Sequence, residues 1–197
     1  MTATAQKSPA LVTADEFLTT TTRLGPGKHQ LIDGVIVAMA PASPTHGVIQ
    51  INFGAIIRAH LREKKLPCQV MGEAGVQPRL HKKTNVRVHD LTVSCGPVPG
   101  PGDRLVATPI IVIEVLSPSN PENTQLNISA CATISSIKEM LIIESTQQRI
   151  EYWQRLADGS WPDEPDVIDI NGAVTLASIN LTVPLADIYT DTHLSTF

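Results

Sequence analysis

Along the 197 residues, the most uniform apolar stretch is Ile110-Ile-Val-Ile-Glu-Val-Leu116. Its aliphatic residues follow one another without a polar face, as in a strand covered on both sides. Glu114 interrupts that run, and a buried carboxylate requires a cation, a hydrogen-bond network or water. Upstream, Val86-Arg-Val-His-Asp-Leu-Thr-Val-Ser-Cys95 alternates but changes phase: Val86 and Val88 share one parity, Leu91, Val93 and Cys95 the other. Asp90 lies at the slip, pointing inward from an unbroken strand or marking a bulge. The turn-rich loop Gly96–Asp103 would let the two strands pair as neighbours.

The rest of the pattern predicts helices and short strands. Thr13-Ala-Asp-Glu16 is a capping box opening a helix from about Ala14 to Arg23, weakened by the Thr19–Thr22 run and stopped by Leu24-Gly-Pro-Gly-Lys28. His29–Met39 reads as a hairpin about Asp33-Gly34. Over residues 45–65, Ile49, Phe53, Ile56, Ile57 and Leu61 recur at helical spacing. Cys68–Glu73 and Gly75–Leu80 suggest strands with Glu73 at the turn between them. After the breaker Ser117–Pro121, Glu122–Thr133 reads as a helix. Lys138–Glu144 with Arg149–Arg155 reads as an outer hairpin, Val167–Ile170 and Val174–Ala177 as short edge strands, and Leu185–Tyr189 as a closing turn or short helix.

Length fits one domain, with a flexible segment at 1–11 and a core from about 12 to 190. Hydrophobic content of 42% with 17% charged residues excludes a disordered chain. Cys68, Cys95 and Cys131 are odd in number and widely spaced, indicating neither a disulfide framework nor a cysteine zinc site. A reducing cytoplasm is therefore expected, and residues 109–116 are too short to span a bilayer. Met1–Pro9 lacks the features of a secretory signal.

Net charge is -4, but its distribution is uneven. Residues 58–87 hold eight basic side chains against two acidic ones, a net of +6, and residues from 88 onward carry a net of -10. Arg58, Arg62, Lys82, Lys83 and Arg87 are thus candidates for meeting a phosphate backbone. The plainer alternative is a solvated helix end, whose cations complement the helix dipole, together with a charged turn at His81-Lys-Lys-Thr84. His46 and His60 are too far apart to share one metal and read as structural or surface residues.

Asp90 and Glu114 on adjacent strands would form a pocket of hard oxygen ligands suited to Mg²⁺ or Mn²⁺, and Glu73 would add a ligand if its strand lies alongside. An ion held there can polarise a phosphodiester and activate water.

His29-Gln-Leu-Ile-Asp-Gly-Val-Ile-Val-Ala-Met39, Ser43-Pro-Thr-His46, Gly72-Glu-Ala-Gly-Val76, Asn85-Val-Arg-Val-His-Asp90 and Glu114-Val-Leu-Ser-Pro-Ser119 together resemble the landmarks of the Uma-type restriction endonuclease family, within the PD-(D/E)XK nuclease superfamily. The resemblance covers about residues 12–190. It implies an α/β (α+β) restriction-endonuclease-like fold, a central mixed sheet flanked by helices, here with an extra hairpin and short edge strands. It also implies a divalent-metal endonuclease acting on DNA, with Asp90 and Glu114 as metal ligands. The superfamily lysine two residues after the glutamate is Leu116 here, and the helix position that supplies it in this family falls on Asn127. The tyrosine one turn later is Cys131, the early hairpin glutamate is Gln30, and His89 stands for the motif proline, a residue of backbone shape and not of charge.

Loss of an electrostatic stabiliser of this kind costs roughly 10²- to 10³-fold in rate. Lys82, Lys83 or Arg87 would compensate only if their loop folds over the site. The rival is a non-catalytic nuclease-fold module binding nucleic acid or a protein partner. A third reading makes Glu114 the salt-bridge partner of Arg87 in a structural protein. A homodimer is expected from the need to cover sheet edges.

Overall fold

A computed structural model describes residues 11–20, 24, 27–116 and 121–195. The first helix, α1 (Ala14–Thr20), opens on the capping box: Thr13 N donates to Glu16 Oε2 (2.8 Å) and Glu16 N to Thr13 Oγ1 (3.2 Å). It ends at Thr20, within the threonine run, where Thr19 and Thr20 hydroxyls bond back to main-chain carbonyls. The rest of the expected first helix, residues 21–23, lies outside the described residues. Strands β1 (His29–Ile32) and β2 (Val35–Ala38) form the hairpin, with Asp33 (φ 47°) and Gly34 (φ 81°) in the left-handed conformations a two-residue turn demands.

Helix α2 (Pro44–Glu63) starts at the Ser43 N-cap, whose hydroxyl accepts from His46 N (3.2 Å), with Pro44 in the first turn. Its stripe Ile49, Phe53, Ile57 and Leu61 is buried. The chain continues through β3 (Gln69–Gly72), the two-residue β4 (Gly75–Val76), a 3₁₀ turn at Lys82–Thr84, and then β5 (Arg87–Val88) and β6 (Leu91–Ser94). The long strand β7 (Pro109–Leu116) is followed by α3 (Pro121–Cys131), β8 (Glu139–Glu144), β9 (Arg149–Gln154), β10 (Asp166–Asp169), β11 (Ala173–Leu176), β12 (Leu181–Pro184) and α4 (Leu185–Ile188).

Six strands form a mixed sheet in the order β10-β9-β8-β7-β6-β3. Only the β7–β8 pair is parallel, and α3 lies on the crossover that such a pair needs. The side chains of β7 divide by parity. Ile111, Ile113 and Val115 join the core under α2, α4, β11 and β12, whereas Val112 joins the core around α3, with Ile128, Cys131, Met140 and Ile142. Glu114 shares the parity of Val112 and so faces the α3 layer. A smaller third core, Ala14, Phe17, Leu31 and Val86, fastens the β1–β2 hairpin to α1. No helix among the described residues is long and apolar enough to cross a membrane.

Several expectations require correction. The expected hairpin of β8 with β9 forms, but it is not an outer one: β8 is interior, buried from Glu139 to Ile143 and flanked by β7 and β9. Its run Met-Leu-Ile-Ile is the unbroken apolar signature of a two-sided strand. The 173–176 strand joins no edge of the main sheet but pairs with β12, a strand not anticipated, in a separate hairpin. The second strand expected over Gly75–Leu80 ends at Val76.

The cysteines also depart from expectation, because Cys68 and Cys95 form a disulfide. The antiparallel register pairs Gln69 with Ser94, so the residues flanking that rung face each other across β3 and β6. Cys131 stays free and buried. Closing a loop of 27 residues stabilises by about 3–4 kcal/mol through the unfolded chain. Mass spectrometry after alkylation of the unfolded, unreduced protein should therefore find one reactive thiol, and reduction should lower the unfolding free energy in urea by about 3 kcal/mol.

Candidate functional site

The change of phase around Asp90 is a change of strand partner. Residues 87–88 pair with β4, whereas β6 pairs with β3 and β7, leaving His89 and Asp90 outside both ladders. Freed from the ladder, the Asp90 carboxylate turns towards β7, where Oδ2 accepts from Val115 N (2.8 Å). Its main-chain carbonyl accepts from Gln50 Nε2 (2.8 Å) on α2 and from Glu73 N (3.3 Å). The Oδ1 atom lies 3.2 Å from both Lys28 Nζ and His46 Nε2.

Glu114, on the neighbouring strand, is held from the other side. His89 Nδ1 is 2.8 Å from Glu114 Oε1, Asn127 Nδ2 donates to the same oxygen (3.3 Å), and His89 Nε2 lies 2.8 Å from Cys131 Sγ. Arg87 does not reach Glu114. It is buried and donates to Asn127 Oδ1 (3.2 Å), so the salt bridge of the third reading gives way to a second layer behind Asn127. His89, standing where the family motif has proline, brings an imidazole against Glu114.

Asp90 and Glu114, each 4% exposed, open with Lys28, Gln30, His46, Gln50, Glu73, Thr124 and Asn127 onto a cavity of about 490 Å³. The sequence-derived candidates Asp90, Glu114, Asn127, Gln30 and His46 are thus brought together. Glu73 stands at the cavity wall in a left-handed turn (φ 53°), largely exposed, with Oε1 3.8 Å from Lys28 Nζ. Arg58 and Arg62 project from the exposed side of α2, and Lys82 and Lys83 from the 3₁₀ turn, none of them lining the cavity. His46 lines the cavity, whereas His60 lies outside it and contacts Ile179 O (2.8 Å).

Lys28 went unnoticed in the sequence because it ends a Gly-Pro-Gly breaker. A signal existed: Lys28 and Gln30 share one parity at the start of a hairpin strand, and both face the cavity. Met39 N donates to Lys28 O (2.8 Å), extending the hairpin by a rung and fixing where the lysine begins. Gln30 is 1% exposed, and its Oε1 has no hydrogen-bond partner among the described residues.

The two acids have opposite electrostatic settings. Burial alone would raise the Asp90 pKa, but His46 beside Oδ1, the Lys28 charge and the Val115 N–H outweigh it and hold the carboxyl well below its usual range. Burial pushes Glu114 upward, reinforced by the Asp90 charge and opposed by His89. Burial would likewise depress His89, yet Cys131 and Glu114 on its two nitrogens raise it to about 10. A folded pKa above the unfolded value of about 6.5 gives stability that is complete below that pH and is lost as pH rises towards 10. A urea-midpoint profile from pH 6 to 10 should fall across this window in the wild type, and His89→Gln should flatten the fall.

Comparison with known proteins places this geometry in context. The Uma2 family, described as "Putative restriction endonuclease", matches residues 14–182. An uncharacterized protein of Synechocystis sp. is 27% identical over 135 residues, covering 68% of this chain and 70% of its own. A crystal structure from Anabaena variabilis, described as a putative nuclease belonging to DUF820, superposes with a TM-score of 0.71 at 19% identity, covering 91% of this chain and 98% of that one. At that identity the superposition establishes the fold, and the family match over most of the chain establishes kinship: the chain belongs to the Uma2 family of restriction endonuclease-like proteins.

Proposed function

We propose that this protein is a divalent-metal-dependent endonuclease that hydrolyses DNA phosphodiester bonds at the cavity floored by Asp90 and Glu114. The observation that carries the reading is the convergence there of two buried carboxylates and the unpartnered Gln30 Oε1, a donor set mainly of oxygens with the His46 imidazole beside Asp90. Such a set fits a hard ion. The described residues contain no group of three His, Cys, Asp or Glu side chains able to hold a metal. Mg²⁺ keeps several waters and is often held by one or two carboxylates plus substrate phosphates. Asp90 and Glu114 would hold the ion, with Gln30 Oε1 and Glu73 within the same cavity. When bound, it supplies Lewis-acid polarisation of the phosphodiester and a more acidic water.

The chain's own residues set the stage for that chemistry. Val115 N–H and His46 orient Asp90 in its charged form, and His89 with Asn127 fixes one oxygen of Glu114. In hydrolysis a water oxygen forms the new bond to phosphorus, the bond to the leaving sugar oxygen breaks, the water proton passes to solvent, and solvent protonates the alkoxide. Arg58, Arg62, Lys82 and Lys83 provide the exposed cations for flanking phosphates. Arg87, being buried behind Asn127, serves the site's interior.

The rival, a nuclease-fold module that binds without cutting, draws on Asn127, a neutral donor tied to Arg87 where the family's lysine is expected. Incubating a supercoiled plasmid with the protein and Mg²⁺ or Mn²⁺ separates the two. The wild type should nick it, and Glu114→Ala and Asp90→Ala should each slow nicking by at least about 10²-fold. Nicking undiminished in Glu114→Ala, or none by the wild type with either ion, would remove the enzyme reading.

A further inference from the structure

Resting on the nuclease reading, we infer that Lys28 is the phosphate-contacting ammonium of this site, taking over from the hairpin the role that Asn127 cannot fill from α3. Lys28 is the only lysine or arginine among the described residues that line the cavity. The alternatives are otherwise engaged or remote: Arg87 is buried against Asn127, and Lys82 and Lys83 lie on an exposed turn outside the cavity.

Val115 N binds Asp90 Oδ2 and Lys28 Nζ donates to Oδ1, while His46 Nε2 lies 3.2 Å from Oδ1 without making a hydrogen bond, so a histidine stands beside that oxygen when the ammonium moves away. The Lys28 side chain is 19% exposed and its ammonium spans Asp90 Oδ1 (3.2 Å) and the rim residue Glu73 (3.8 Å). The main chain beneath is fixed by Met39 N, while four methylenes leave the ammonium free to swing. The Lys28 ammonium would be repelled from Asp90 by the charge of a divalent ion held there and drawn towards a phosphate oxygen in the same cavity. Lys28 then faces the charge that develops on the phosphoryl oxygens as the water bond forms and the sugar–oxygen bond breaks. It donates hydrogen bonds and transfers no proton.

The test uses the full chain, a labelled duplex under single-turnover conditions with Mn²⁺, and Mn²⁺ titration calorimetry. Lys28→Met should cut about 10²- to 10³-fold more slowly than the wild type while binding Mn²⁺ at least as tightly, because a competing cation has gone. Lys28→Arg should recover part of the rate, and adding Asn127→Lys to Lys28→Met should restore at least about tenfold, a return of the electrostatic term from the other wall. Cleavage by Lys28→Met close to wild type would overturn the assignment. So would a loss of cleavage matched by an equal loss of Mn²⁺ affinity, which would make Lys28 a positioning residue for Asp90. If neither wild type nor Glu114→Ala cuts, the nuclease reading fails, and duplex binding in Ca²⁺ decides Lys28 independently. Lys28→Met should then reduce the slope of log affinity against log salt by about 0.9, the share of one phosphate contact; an unchanged slope would refute the contact.

Discussion

Two carboxyl groups, Asp90 and Glu114, open from a largely aliphatic sheet onto one cavity, and the architecture around them is arranged to make their burial tolerable. An unpaired carboxylate in such surroundings costs several kcal/mol. Asp90 meets the demand with a main-chain N–H, a histidine and a lysine, and Glu114 with a histidine and an amide. Each partner comes from a different element: β7, α2, the hairpin, the segment between β5 and β6, and α3. The site is therefore less an attachment to the fold than the place where its layers are electrically joined.

That junction exists because the chain changes partners at residues 89 and 90. A continuous strand would commit the Asp90 main chain to a ladder and point its side chain by parity. The interruption frees the main-chain carbonyl to receive Gln50 and Glu73 and the carboxylate to reach β7. It also turns His89 inward between Glu114 and Cys131. A local irregularity of two residues thus positions both acids, as breaks in sheet pairing commonly do beside functional sites.

Much of this was legible in the sequence. The α2 stripe, the Asp33-Gly34 turn, the acid within the Ile110–Leu116 run and the phase slip at Asp90 are local patterns, and each maps onto the element it announces. What the sequence concealed are contacts between distant positions. Lys28 lies 62 residues from Asp90, and the disulfide partners are 27 apart. Neither pairing leaves a periodic trace. The interior place of β8 was hidden because a six-residue apolar strand followed by a short turn reads as a hairpin whichever strand lies beyond it. Glu139 shows the converse limit. It is as buried as Glu114, yet Ser178 N closes one oxygen at 2.8 Å and it lies outside the cavity. Composition cannot tell such an acid from one that faces a substrate.

The hairpin bearing Lys28 and Gln30 rests on its own small core of Ala14, Phe17, Leu31 and Val86, joined to the rest by rungs such as Leu31 with Val86 and by the Asp33–Asn85 contact. Among the described residues that core has four buried side chains, with partly buried neighbours such as Leu18 and Ile36, against twenty-one buried ones in the largest cluster. Regions with so little apolar burial open locally at lower free energy than the body of a domain. On warming, the cavity would lose its hairpin wall while the six-stranded sheet still stood, so competence at the site and integrity of the fold are separable properties of this molecule.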